Sequence, residues 1–82
     1  MESFFIAAIR VDKRREQAAK LQSILTEFGC IVRMRLGLHE TGDVCSNQGL
    51  IILELAPDRA EIERMLSSLG ALEGVRAKLL EI

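Results

Sequence analysis

The chain has no tryptophan, no tyrosine, one proline, one histidine and two cysteines among its 82 residues. Each shortage removes a class of function. With three phenylalanines as its whole aromatic content, it lacks the platform on which RNA-recognition sheets stack bases. Charge of one sign is missing too. Eleven basic and twelve acidic residues leave a net charge of −1, so no broad positive field exists for phosphate backbones, and direct binding of nucleic acid is not expected. Long hydrophobic runs are absent: Phe4 to Ile9 and Leu50 to Leu53 fall far below the ~20 residues that cross a bilayer, and no membrane partner is expected. Glu2 and the lack of a basic stretch before the first apolar run read unlike a secretory signal. The cytoplasm is the expected location, where Cys30 and Cys45 stay reduced. The glycines match neither the dinucleotide fingerprint nor the P-loop. Paired carboxylates fall on predicted helix surfaces, and no second histidine or positioned acid accompanies Cys45. The expectation is a binding module and not an enzyme, without a cofactor.

What is present is apolar matter. Hydrophobic residues make up 49% of the chain, enough to fold, and residues 1–82 read as a single domain. A core of this size supplies about 3–5 kcal/mol, and comparable domains often gain the rest from partner subunits. Self-association is therefore expected, as a dimer or tetramer.

Hydrophobic periodicity divides the chain into six elements. Ser3 to Val11 is a nearly unbroken apolar run, the pattern of a strand covered on both faces. Asp12 reads as the cap of a first helix, with Glu16 in its first turn. Ala18, Leu21, Ile24, Leu25 and Phe28 form its apolar stripe, Gln17 belongs to the wet side, and Gly29 reads as a left-handed terminator. From Cys30 to Leu38, strict alternation sends Cys30, Val32, Met34, Leu36 and Leu38 one way and Ile31, Arg33 and Arg35 the other. His39 to Gln48 reads as a long hairpin loop, and Gly49 to Ala56 resumes strand character. Asp58 and Glu61 carry the spacing of a capping box. Ile62, Met65, Leu66 and Leu69 then form a second helical stripe, ended by Gly70. After Gly74 a last strand alternates Val75, Ala77 and Leu79 with Arg76, Lys78 and Leu80.

This order is the split βαβ arrangement: an α+β, ferredoxin-like βαββαβ sandwich with a four-stranded antiparallel sheet in the order 4132 and two helices on one face. Central strands are apolar on both sides, while edge strands carry charge. The helices are expected to cover the face of Phe5, Ala7, Ile9, Cys30, Val32, Met34, Ile51, Leu53, Leu55, Val75, Ala77 and Leu79. The other face has no cover of its own. Phe4, Ile6, Ala8, Ile31, Leu50, Ile52 and Leu80 give it an apolar centre, which marks it as an oligomer interface. Arg10, Arg33, Arg35 and Arg76 give it a basic margin able to hold a carboxylate or phosphate of a small ligand between subunits. Glu54 of a second subunit is an equal candidate for that partner. His39 and Cys45, in the loop with Glu40 and Asp43, have the chemistry of transition-metal ligands but no tight metal spacing, and define an alternative, metal-responsive reading. A small dimeric enzyme with a pocket between subunits is a further alternative.

Several segments together resemble a known family: Val11-Asp12-Lys13-Arg14, Leu25-Thr26-Glu27-Phe28-Gly29, Arg33-Met34-Arg35-Leu36-Gly37-Leu38, Gly49-Leu50-Ile51-Ile52-Leu53-Glu54, and Leu69-Gly70 leading to Gly74-Val75-Arg76-Ala77-Lys78. The chain is similar, over nearly its whole length, to the iron-only hydrogenase system regulators. The resemblance implies an ACT-like ferredoxin fold, akin to the C-terminal regulatory domain of the nickel-responsive repressor, with assembly into dimers or higher oligomers and a regulatory role exerted through partners. The nickel-responsive domain presents several histidines and a cysteine to its metal, whereas this chain offers His39 and two cysteines, so nickel sensing does not carry over. ACT domains that bind amino acids commonly place a glycine in the turn after the first strand. Here Asp12, Lys13 and Arg14 stand there.

Overall fold

A computed structural model describes residues 3–38 and 47–82. The elements are β1 (Phe5–Val11), α1 (Arg14–Glu27), β2 (Val32–Leu38), β3 (Gly49–Leu55), α2 (Arg59–Gly70) and β4 (Val75–Glu81). The strands form one antiparallel sheet in the order β2-β3-β1-β4, the expected 4132 order read from the other edge. The fold is ferredoxin-like.

Strict alternation along β1 puts Phe5, Ala7, Ile9 and Val11 into the core. Their cross-strand partners Leu55, Leu53 and Val75 are buried with them. The helices close this side with Leu21, Leu25 and Phe28 from α1 and its exit, and Ile62, Met65 and Leu69 from α2. Among the described residues no helix is long and apolar enough to cross a membrane.

The caps divide into one that follows the local sequence and one that does not. Asp58 accepts a hydrogen bond from the Glu61 backbone N–H at 3.2 Å, as its spacing predicts. Asp12 does not cap α1. Lys13 holds the cap position without a side-chain bond, and the free N–H groups are met from across the molecule. The Asn47 carbonyl accepts from the Arg14 N–H and its side-chain Oδ1 from the Arg15 N–H, both at 2.8 Å, while its Nδ2 donates to Glu16 at 2.9 Å. Local spacing cannot reveal a cap lent by a residue more than thirty positions away.

Gln17 is buried and not wet as expected: its Nε2 donates to the Glu73 carbonyl at 2.9 Å, tying α1 to the turn before β4. Ala18, assigned to the apolar stripe, is exposed in its place. Gly29 and Gly70 are not left-handed either. Among the described residues Gly74 alone has positive φ, at 76°, and a Cβ there would meet Lys13 Cγ at 3.0 Å. The Asp12 N–H donates to the Gly74 carbonyl at 2.7 Å, so this turn fixes the entry to α1. Gly74→Ala is expected to cost about 1–2 kcal/mol from the left-handed backbone alone, read as a lower midpoint in urea denaturation. An unchanged midpoint would contradict it.

The second strand departs most from expectation. Its register jumps between Val32, opposite Leu55, and Met34, opposite Glu54. The extra residue, Arg33, forms a bulge that reverses the alternation beyond it. Met34 and Leu36 therefore share the open face with their partners Glu54 and Ile52, while Arg35 lies opposite Leu53 on the helix side. Upstream, the chain is still leaving α1: the Ile31 N–H donates to the Phe28 carbonyl, and strand alternation does not yet apply. Ile31 is consequently buried in the core and Cys30 exposed. The assignments of Ile31 and Arg35 to the open face, and of Cys30 and Met34 to the covered one, are thus corrected.

Candidate functional site

The uncovered face of the sheet is built in rows by the strand register. Phe4 and Ile82 exchange two backbone hydrogen bonds, of 2.8 and 2.9 Å, at one end. Next comes Met34, Glu54, Ile6, Leu80; then Leu36, Ile52, Ala8, Lys78. A last row sets Leu50 beside Arg10 and Arg76. Six of the seven large hydrophobic side chains most exposed in the described structure belong to this face: Phe4, Met34, Leu36, Leu50, Leu80 and Ile82, at 37 to 69% exposure. Ile6, Ala8 and Ile52 lie half-buried between them. A monomer rarely leaves so broad an apolar surface to water.

The expected interface residues Phe4, Ile6, Ala8, Leu50, Ile52 and Leu80 do share this face, with Arg10, Arg33 and Arg76 at its margins. Sequence reasoning missed Met34, Leu36 and Ile82. The bulge that brings in the first two has no glycine or proline to announce it. His39 and Cys45 lie outside the described residues. Among those described, no group of three or more His, Cys, Asp or Glu side chains comes together.

Charge on the face is unevenly placed. Glu54 stands within the apolar rows, 3.7 Å from Arg33, and its Oε2 is buried with no hydrogen-bond donor. At the opposite end Arg10 and Arg76 are direct cross-strand neighbours, an arrangement of like charges that is unfavourable by itself. Asp12 relieves it, taking Arg10 Nε at 2.8 Å and Arg76 at 3.5 Å. Arg10, Arg76 and Lys78 rim an open concavity of about 280 Å³ with Ala8, Leu50 and Ala77.

The hydrogen bond from Arg10, with the charges of Arg10 and Arg76, holds the Asp12 carboxyl below its ordinary value. Asn47 lowers Glu16, Lys13 lowers Glu73, and Ser3 with Arg59 lowers Glu81. In each case the folded value lies under the unfolded one. The stabilisation is thus complete above the ordinary carboxylate range and is lost as pH falls through the lowered values. Thermal unfolding midpoints should be level between about pH 8 and 5 and decline below about pH 4. A midpoint that climbs on acidification would contradict these pairings.

No family model and no curated protein matches the chain. Solved structures do. The uncharacterized protein TM1266 from Thermotoga maritima superposes with a TM-score of 0.85 at 27% identity, over 99% of both chains. A protein described as PII-like and signalling, from Thermus thermophilus, gives 0.66 at 11% identity over 98% of this chain and 87% of its own. The protein CPII from Thiomonas intermedia, solved with ADP, AMP and acetate, gives 0.51 at 16% identity, over 98% of this chain and 88% of its own. The last two likenesses establish a shared fold.

Proposed function

We propose that this chain is an assembling regulatory module, not an enzyme, whose open sheet face docks against a second copy of itself and which acts through other proteins. The observation that carries this reading is the apolar face itself, left uncovered across all four strands. Its charges suit a second copy. Each face bears Glu54, whose Oε2 has no hydrogen-bond donor although Arg33 stands 3.7 Å away, and a basic end, so two copies meeting with their rows opposed offer each other opposite charges. The resemblance to iron-only hydrogenase system regulators supports a regulatory role in such a system. The PII-like fold of a signalling protein and of a protein solved with adenine nucleotides and acetate supports a small ligand bound near the subunit boundary. Sedimentation equilibrium at micromolar concentration tests the reading: a dimer or higher oligomer is expected, and a clean monomer overturns it.

A further inference from the structure

A concavity lies at the basic end of the open face, beside the last of its rows. Two arginines and a lysine converge on about 280 Å³ of space floored by Ala8, Leu50 and Ala77. The register sets Arg76 directly across from Arg10, and Lys78 two residues along the same strand, on the same side of the sheet. Arg10 is committed to Asp12 at 2.8 Å, Arg76 makes a contact of 3.5 Å to the same carboxylate, and Lys78 has no ion-pair partner among the described residues. Three cations thus stand beside one internal anion, which pairs with the two arginines. The cluster keeps an excess of about two positive charges next to a small apolar floor, an arrangement that costs mutual repulsion and gains most from a bound dianion.

We infer that this concavity is an anion site for a phosphate or carboxylate group carried by a small molecule, with Arg76 and Lys78 as its direct ligands, and Asp12 as an internal competitor that holds the arginines when the site is empty. The inference rests on reading the open face as a binding surface, and adds the class of ligand and the residues that take it. Phosphate esters and dicarboxylates share this chemistry. An apolar portion of either lies on Ala8 and Leu50.

Asp12 makes the idea testable in both directions, because removing an acid and removing a base should act oppositely. Calorimetric titration of the full chain with inorganic pyrophosphate and, separately, with succinate, at fixed ionic strength set by sodium chloride, is expected to give saturable binding of at least one of the two. The anion that binds identifies the source. The double variant Arg76→Gln, Lys78→Gln is expected to weaken it at least about tenfold, since each loses a charge-assisted hydrogen bond. Asp12→Asn is expected to tighten it severalfold by freeing both arginine heads. These side chains lie at the surface, so the variants keep the core; the urea midpoint is expected to be unchanged for the double variant and slightly lowered for Asp12→Asn, whose carboxylate relieves the Arg10–Arg76 repulsion, and a cooperative transition in each verifies folding. Absence of saturable binding by both anions, or equal binding by wild type and all variants, overturns the site. Sedimentation of the same samples separates this from the assembly reading. An oligomer that takes up neither anion removes the anion site alone, whereas a monomer that binds pyrophosphate removes the assembly alone.

Discussion

Leu53→Ala is expected to lower the free energy of unfolding by about 2–5 kcal/mol, a loss comparable to all that a core of this size supplies. Leu53 is fully buried on a central strand, facing the helices and paired across the sheet with Ala7 and Arg35. Neither neighbour can fill the space it leaves: Ala7 is small and itself wholly buried, and Arg35 is exposed at the edge. The loss therefore combines lost transfer energy with an unfilled cavity. Urea denaturation followed by circular dichroism provides the number, with Lys20→Ala on the exposed side of α1 as a control expected within about 0.5 kcal/mol of wild type. A loss for Leu53→Ala of under about 1 kcal/mol would mean that the helices do not close over β3 as described.

A charge placed on the other face should leave folding almost untouched and abolish association. Leu36 is 57% exposed, across from Ile52 in the middle row of the open face. In the isolated chain Leu36→Glu exchanges one solvated side chain for another. In an assembly closed on this face it desolvates an unpaired carboxylate where an aliphatic anchor stood. Such a substitution is expected to raise the dissociation constant by about thirtyfold or more, measured by sedimentation, with the urea midpoint of the dissociated chain unchanged. Leu80→Glu, on the far edge strand at 55% exposure, should act similarly if the contact spans the sheet. Oligomers that persist in both variants would place the contact elsewhere.

Much of the architecture was legible because the central strands announce themselves. The uninterrupted run of β1 and the apolar block of β3 admit burial on both sides, and the two helical stripes need one shared face to pack on. That combination fixes the order of elements and leaves the second sheet face bare. The exceptions share a physical cause: they depend on partners distant in sequence. Asp12 has the chemistry of a cap, yet Arg10 and Arg76 take its carboxylate and Asn47 takes over the helix end. Gln17 looks like a surface residue until the Glu73 carbonyl is brought beside it. In β2 the alternation is genuine, but it breaks phase at Arg33, and an alternating string of letters contains no mark of where the phase changes. The candidate face was accordingly half-read: its central and β4 residues were anticipated, while the β2 contribution was inverted.

The register jump in β2 also bears on how the chain tolerates changes in length. Deleting Arg33 would take out the extra residue of the bulge and leave the faces as they are, with Val32 and Met34 adjacent and opposite Leu55 and Glu54 in turn. A strand that kept Arg33 but lost the bulge would instead turn its far half inside out, sending the thioether of Met34 and the isobutyl group of Leu36 toward the helix side and Arg35 onto the greasy surface. The bulge, and not the alternation of letters, thus decides whether the flank of the sheet is sticky or wetted, while the interior beneath β1 and β3 keeps its composition either way.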